Sequence, residues 1–91
     1  MRWVVAYDTP CSKRRRKLAV LLEGYGVRVQ ESVFECELEA AVFMQMRGRI
    51  ERLIRPDLDG VRLWPLSRRS CARIVNLGTP VPVPGIRDVV V

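Results

Sequence analysis

Asp8 closes the first apolar stretch of the chain, Trp3-Val4-Val5-Ala6-Tyr7-Asp8, and five consecutive cations follow Thr9-Pro10-Cys11-Ser12, at Lys13-Arg14-Arg15-Arg16-Lys17. A carboxylate at a strand end is a hard oxygen donor, suited to Mg²⁺ or Mn²⁺, which keep several waters that could attack a phosphate. Guanidinium forks beside it suit bidentate contact with phosphate oxygens. Asp8 has a second possible role, capping the next helix, where negative charge matches the positive end of the helix dipole. The two roles can coexist. The cations lie at that same end, where each costs a few tenths of a kcal/mol, up to about 1, so helix stability does not explain them. Either they form a solvated face or they contact phosphate.

Other chemistries are excluded by what the sequence lacks. It contains no histidine, and Cys11, Cys36 and Cys71 are far apart with no C-x-x-C pair. That rules out a zinc site and histidine-based catalysis, and isolated thiols fit a reducing cytoplasm. The first residues lack the pattern of a signal peptide, and the longest apolar run is too short to span a membrane. A cytoplasmic protein with no membrane partner is expected.

The chain has 91 residues, 48% of them hydrophobic, and a net charge of +6. This length makes one domain, and the apolar content argues against disorder. Lys13 and Lys17 are the only lysines among 16 cations; the rest are arginine. The balance points to an anionic partner, nucleic acid ahead of membrane. Further arginines gather at Arg28, in the 47–55 segment and at 68–73, while Glu31, Glu35, Glu37 and Glu39 form an acidic stretch that could meet a basic protein.

Positioning these residues requires a small α+β framework. Residues 2–7 read as a central strand covered on both faces. Thr9 or Ser12 caps a helix, with Pro10 as a possible first residue, in which Leu18, Leu21, Leu22 and Tyr25 form one stripe; Arg14 or Arg15 extends it back toward Asp8. Gly24 and Gly26 end the helix. Val27–Gln30 and Ser32–Leu38 read as strands joined near Glu31. A second helix carries Phe43, Met46, Ile50, Leu53 and Ile54 and stops at Pro56. Asp59-Gly60 marks a turn into a fourth strand, 61–66, and a short fifth follows at 73–77. The order β-α-β-β-α-β is ferredoxin-like, with one domain over 1–77 and a Pro-rich tail or edge strand over 78–91. Two helices cover one sheet face, so the other face, with Val4, Ala6 and Asp8, is expected to meet a second copy in a two-fold homodimer. The two Asp8 carboxylates would then approach each other and favour a shared cation.

The segment from the first strand through Tyr7-Asp8 to Arg15 and Lys17, with Tyr25-Gly26-Val27-Arg28-Val29-Gln30-Glu31-Ser32-Val33-Phe34-Glu35, resembles the CRISPR-associated protein 2 family. The likeness extends over about residues 3–77 and takes in the strand Val61-Arg62-Leu63-Trp64-Pro65-Leu66. It implies a ferredoxin-like homodimer whose fifth strand completes the partner's sheet. It further implies paired Asp8 residues holding Mg²⁺, a metal-dependent endonuclease activity on RNA or DNA, and a place beside the CRISPR integrase in spacer acquisition. By the same likeness Tyr7, Arg15, Lys17, Arg28, Ser32 and Phe34 lie at or near the catalytic or nucleic-acid surface. On the residues alone, Ser32 serves a turn and Phe34 fills core. A non-catalytic adaptor holding duplex DNA for the integrase is the alternative. A single-strand RNA reader shares the fold order, but Val33-Phe34-Glu35-Cys36 lacks the exposed aromatics it needs.

Overall fold

The computed structural model describes residues 1–66 and 75–81. The elements run β1 (Arg2–Asp8), α1 (Ser12–Glu23), β2 (Val27–Gln30), β3 (Val33–Glu37), α2 (Ala40–Leu53), β4 (Gly60–Pro65) and β5 (Val75–Gly78). The strands form one sheet in the order β2-β3-β1-β4-β5 with every neighbouring pair antiparallel. The first four strands keep the ferredoxin-like order, β1 central between β3 and β4, as the sequence implies.

Strand alternation sorts β1 onto two faces. Trp3, Val5 and Tyr7 turn toward the helices and join Leu18, Leu22, Phe34, Phe43, Met46, Ile50 and Leu63 in the main core. Trp3 stacks on Phe43 with ring centroids 4.0 Å apart, fastening α2 to the sheet. Val4 and Ala6 face the other way and cluster with Val33, Trp64 and Val81. This second face is therefore covered within the one chain: Val4 is 0% and Ala6 3% exposed. Part of this cover comes from the chain just past β5, which returns over the sheet and seats Val81 there.

The fifth strand pairs with β4 of its own chain, from Gly60↔Gly78 to Leu63↔Val75. The residues at 73–74, Cys71 and the segment 82–91, including the edge strand expected at 86–91, lie outside the described residues. Among the described residues no helix is long and apolar enough to cross a membrane.

The start of α1 differs from its sequence reading. Pro10 lies outside the helix and Cys11 occupies the cap position without a side-chain cap bond. Thr9 serves the turn instead: its hydroxyl accepts the Cys11 N–H at 3.1 Å. Gln30 and Val33 flank a tight β2–β3 connection in which Ser32 takes a left-handed φ of 66°. A non-glycine residue in that region carries roughly 1–3 kcal/mol of strain, which short polar side chains bear best.

Candidate nucleic-acid interface

Three elements converge beside the end of β1 to enclose a cleft of about 330 Å³, lined by Tyr7, Ser12, Arg15, Arg16, Ala19, Arg28, Glu31 and Ser32. Tyr7 comes from β1, the four following residues from α1, and Arg28, Glu31 and Ser32 from the β2–β3 hairpin. The Tyr7 N–H donates to the Ser32 carbonyl at 3.1 Å and pins the hairpin turn against the strand. The basic helix start and the 25–35 motif, separate in sequence, thus share one wall-and-floor arrangement.

Its cations are held in different ways. Arg15 donates through Nη2 to the Thr9 carbonyl at 2.9 Å. Arg28 lies over the Phe34 ring, 5.3 Å from its centroid, a cation–π placement that keeps the guanidinium at the cleft. Among the described residues none of Lys13, Arg15, Arg16, Lys17 and Arg28 forms an ion pair, and all five are exposed. Their positive charge is available to an incoming anion.

Phe34, placed by the resemblance at or near the catalytic or nucleic-acid surface, lies beneath it, 0% exposed. It supports Arg28 from below and stacks near Tyr7 at 6.3 Å between centroids. Tyr7 is buried in the same layer and contributes only the cleft floor. The residue-level reading, in which Phe34 fills core and Ser32 serves the turn, matches the geometry. Phe34→Leu should accordingly cost about 1–2 kcal/mol of stability and, by removing the ring under Arg28, weaken nucleic-acid binding, checked by denaturant unfolding beside a binding assay.

Arg14 is also corrected. It sits one helical turn before Leu18 and turns inward, with Nε donating to Asp59 Oδ2 at 2.6 Å and Nη2 to Oδ1 at 3.1 Å. The pair is nearly dry, with side-chain exposure of 19% for Arg14 and 0% for Asp59. Asp59 also accepts the Thr9 hydroxyl at 2.5 Å and the Arg55 N–H at 2.9 Å. Burial alone would push its carboxyl pKa up. The bonds from Arg14, Arg55 and Thr9 outweigh burial and bring it to about 2. In the sequence Asp59 reads only as a turn marker; nothing in an Asp-Gly pair distinguishes an exposed turn carboxylate from a buried one.

Asp8 ends β1 opposite Gly60. It is exposed, and among the described residues no hydrogen bond or ion pair engages its carboxylate. Capping of α1 by Asp8 is absent. No group of three or more Cys, Asp or Glu side chains that could hold a metal occurs among the described residues. Asp59, the nearby carboxylate, has both oxygens occupied. Asp8 nevertheless fits Mg²⁺, which binds through one or two carboxylates and fills its remaining positions with water and phosphate oxygens.

The thiols take opposite environments. Cys36 is buried and desolvation pushes its pKa up to about 11, which makes it inert packing. At Cys11 the backbone N–H of Arg14 pulls the pKa down.

A ferredoxin-like sheet whose cleft cations and strand-end carboxylate have no ion-pair partner among the described residues suits a small nucleic-acid-handling protein. Comparison with known proteins makes this specific: the family model for CRISPR associated protein Cas2 matches residues 1–74. The chain belongs to that family. It is 42% identical over 78 residues to a Synechocystis protein named CRISPR-associated endoribonuclease Cas2 3, covering 86% of this chain and 85% of the relative. It is 40% identical over 87 residues to a Thermus thermophilus protein named CRISPR-associated endonuclease Cas2 2, covering 96% and 91%. The crystal structure of Streptococcus pyogenes Cas2 superposes with a TM-score of 0.70 at 35% identity, covering 86% of this chain and all of that one.

Proposed function

We propose that this chain acts in the cytoplasm in CRISPR adaptation, the acquisition of spacers in antiviral defence, as a homodimer that binds RNA or DNA and cleaves it as a Mg²⁺-dependent endonuclease. The observation that carries the reading is the cleft whose Arg15, Arg16 and Arg28 have no carboxylate partner among the described residues, floored by the strand that Asp8 ends. Relatives named endoribonuclease and endonuclease support the reaction class. The CRISPR integrase is the expected protein partner, with the acidic 31–39 stretch as the surface suited to a basic protein.

In this reading Arg15, Arg16 and Arg28 hold successive phosphates, and the Thr9 carbonyl keeps Arg15 aimed at them. The Ser32 hydroxyl at the cleft rim offers a neutral hydrogen bond, while Glu31 beside it limits how deeply an anion settles. Asp8, with Asp8 of a second copy, would hold Mg²⁺ (Mn²⁺ as a substitute); when bound, the ion supplies Lewis acidity at the scissile phosphate and lowers the pKa of water. With no histidine in the chain, Glu31 is the carboxylate that lines the cleft itself.

The test is cleavage by Asp8→Ala. Its activity should fall by more than the roughly 10–100-fold that loss of an outer-shell partner costs at metal sites, with binding of the same substrate intact. Chelation of the wild type should do the same. Equal cleavage by the variant would sink the nuclease reading. That each chain offers the metal one carboxylate, Asp8, favours a second reading, in which the protein is an adaptor that presents duplex DNA to the integrase. Asp8→Ala would then acquire spacers normally, while charge reversal at Arg15 and Arg16 would not.

A further inference from the structure

Asp59 ties together segments that are remote in sequence. Its carboxylate takes Thr9 from the β1–α1 turn, Arg14 from the first turn of α1, and the Arg55 amide just after α2. Its backbone joins in: the Thr79 N–H, just past β5, donates to the Asp59 carbonyl at 2.9 Å. The β4–β5 crossing here is too tight for a side chain. A Cβ on Gly60 would strike the Thr79 backbone, and Gly78, at φ +76°, would drive one into the Asp59 carbonyl.

Stability alone is a weak reason for such a pair, since well-packed apolar replacements of buried ion pairs are often neutral or stabilising. What it does uniquely is local. Thr9 immediately follows Asp8, its hydroxyl is bound by Asp59, and its carbonyl orients Arg15. The carboxylate residue and the first cleft cation therefore hang on one buried threonine. The first turn of α1 also contains no acidic residue of its own, so Asp59 supplies the counter-charge from outside the helix.

We propose that Asp59 is a positioning residue: through Thr9 and Arg14 it fixes the β1–α1 turn, keeps Asp8 at one separation from the cleft arginines, and withholds Arg14 from the phosphate-contacting set. The inference rests on the nucleic-acid reading above for its last element, whereas its effect on the turn does not.

Asp59→Asn preserves volume and removes the charge that holds Arg14. On duplex DNA its binding should steepen in salt dependence by about 0.9 per copy in log K against log salt, one extra cation's worth. Amide hydrogen exchange over residues 9–16 should accelerate by about tenfold or more while β1 and β3 amides keep wild-type rates. Cleavage per folded molecule should fall although binding persists. Adding Arg14→Gln should return the salt slope to the wild-type value. Should Asp59→Asn fail to fold, Thr9→Val leaves the Asp59–Arg14 pair in place and should quicken exchange in the same segment with the slope unchanged. The proposal is overturned if Asp59→Asn leaves the slope unaltered and loosens 9–16 no more than the whole sheet, or if Thr9→Val exchanges and cleaves like wild type. A wild type that binds DNA without cutting it overturns the nuclease reading alone, since slope and exchange still decide the role of Asp59. A wild type that does not bind overturns the nucleic-acid reading and with it the withholding of Arg14; exchange over 9–16 then decides the fixing of the turn.

Discussion

Asp59→Ala is expected to lower the unfolding free energy by about 3–5 kcal/mol, because it strands the Arg14 guanidinium in a nearly dry site and leaves the Thr9 hydroxyl and Arg55 amide without their acceptor. Small domains hold only about 5–15 kcal/mol in total. Each kcal/mol moves the midpoint by about 4–8 °C in a domain of this size, so a fall in Tm of more than about 10 °C should appear by circular dichroism. The acid response should change as well. Asp59 has a folded pKa of about 2, below its unfolded value near 3.9. Its contribution is therefore fully present above about pH 4 and is lost as pH falls toward 2. The wild type should lose stability steeply in that window, and the alanine variant should be flatter there. Parallel slopes for the two proteins would mean the carboxylate is not held as the structure shows.

Nucleic-acid affinity should drop by about a thousandfold between roughly 50 and 200 mM salt, if a homodimer engages six phosphates through Arg15, Arg16 and Arg28 of each copy. For duplex DNA the corresponding slope of log K against log salt is about −5, and about −4 for a single strand, so the same titration reports which form is bound. Arg15→Ala should reduce the slope by about 0.9 per copy on duplex. A slope near zero would discard the phosphate-cleft reading altogether, however the chain behaves in cleavage assays.

Much of this framework can be read from residue spacing. The unbroken apolar run of β1 and the stripe through Leu18 and Leu22 located the central strand and first helix, because the strand is buried on both faces and the helix on one. The hairpin motif was legible too: Ser32 reads as a turn residue, and it sits in the β2–β3 connection at a left-handed φ. The site was harder. A run of five cations looks uniform in sequence, yet Arg14 differs from Arg15 by one step of 100°, enough to turn it inward onto Asp59 while its neighbour lines the cleft. Asp59 itself contacts residues 45 and 50 positions away, beyond any local pattern. Phe34 misled in the opposite sense, since its motif suggested a surface while Arg28 lies over its ring. The seating of Val81 on the second sheet face was not legible, because alternation reveals that a residue is covered, not by what.

The outer strand β2 carries one more implication. Its Val27 and Val29 are 69% and 41% exposed, and it lies at the sheet margin, where unpaired backbone groups invite another chain to add a strand. The register shift between Arg28 and Gln30 and the charge of Arg28 blunt that edge, as bulges and cations commonly do against aggregation. A neutral substitution at Arg28 therefore removes a guard against self-association together with a phosphate contact. Arg28→Glu separates the two, since it keeps the edge charged while repelling nucleic acid. Light scattering should find it monodisperse where Arg28→Ala forms larger species.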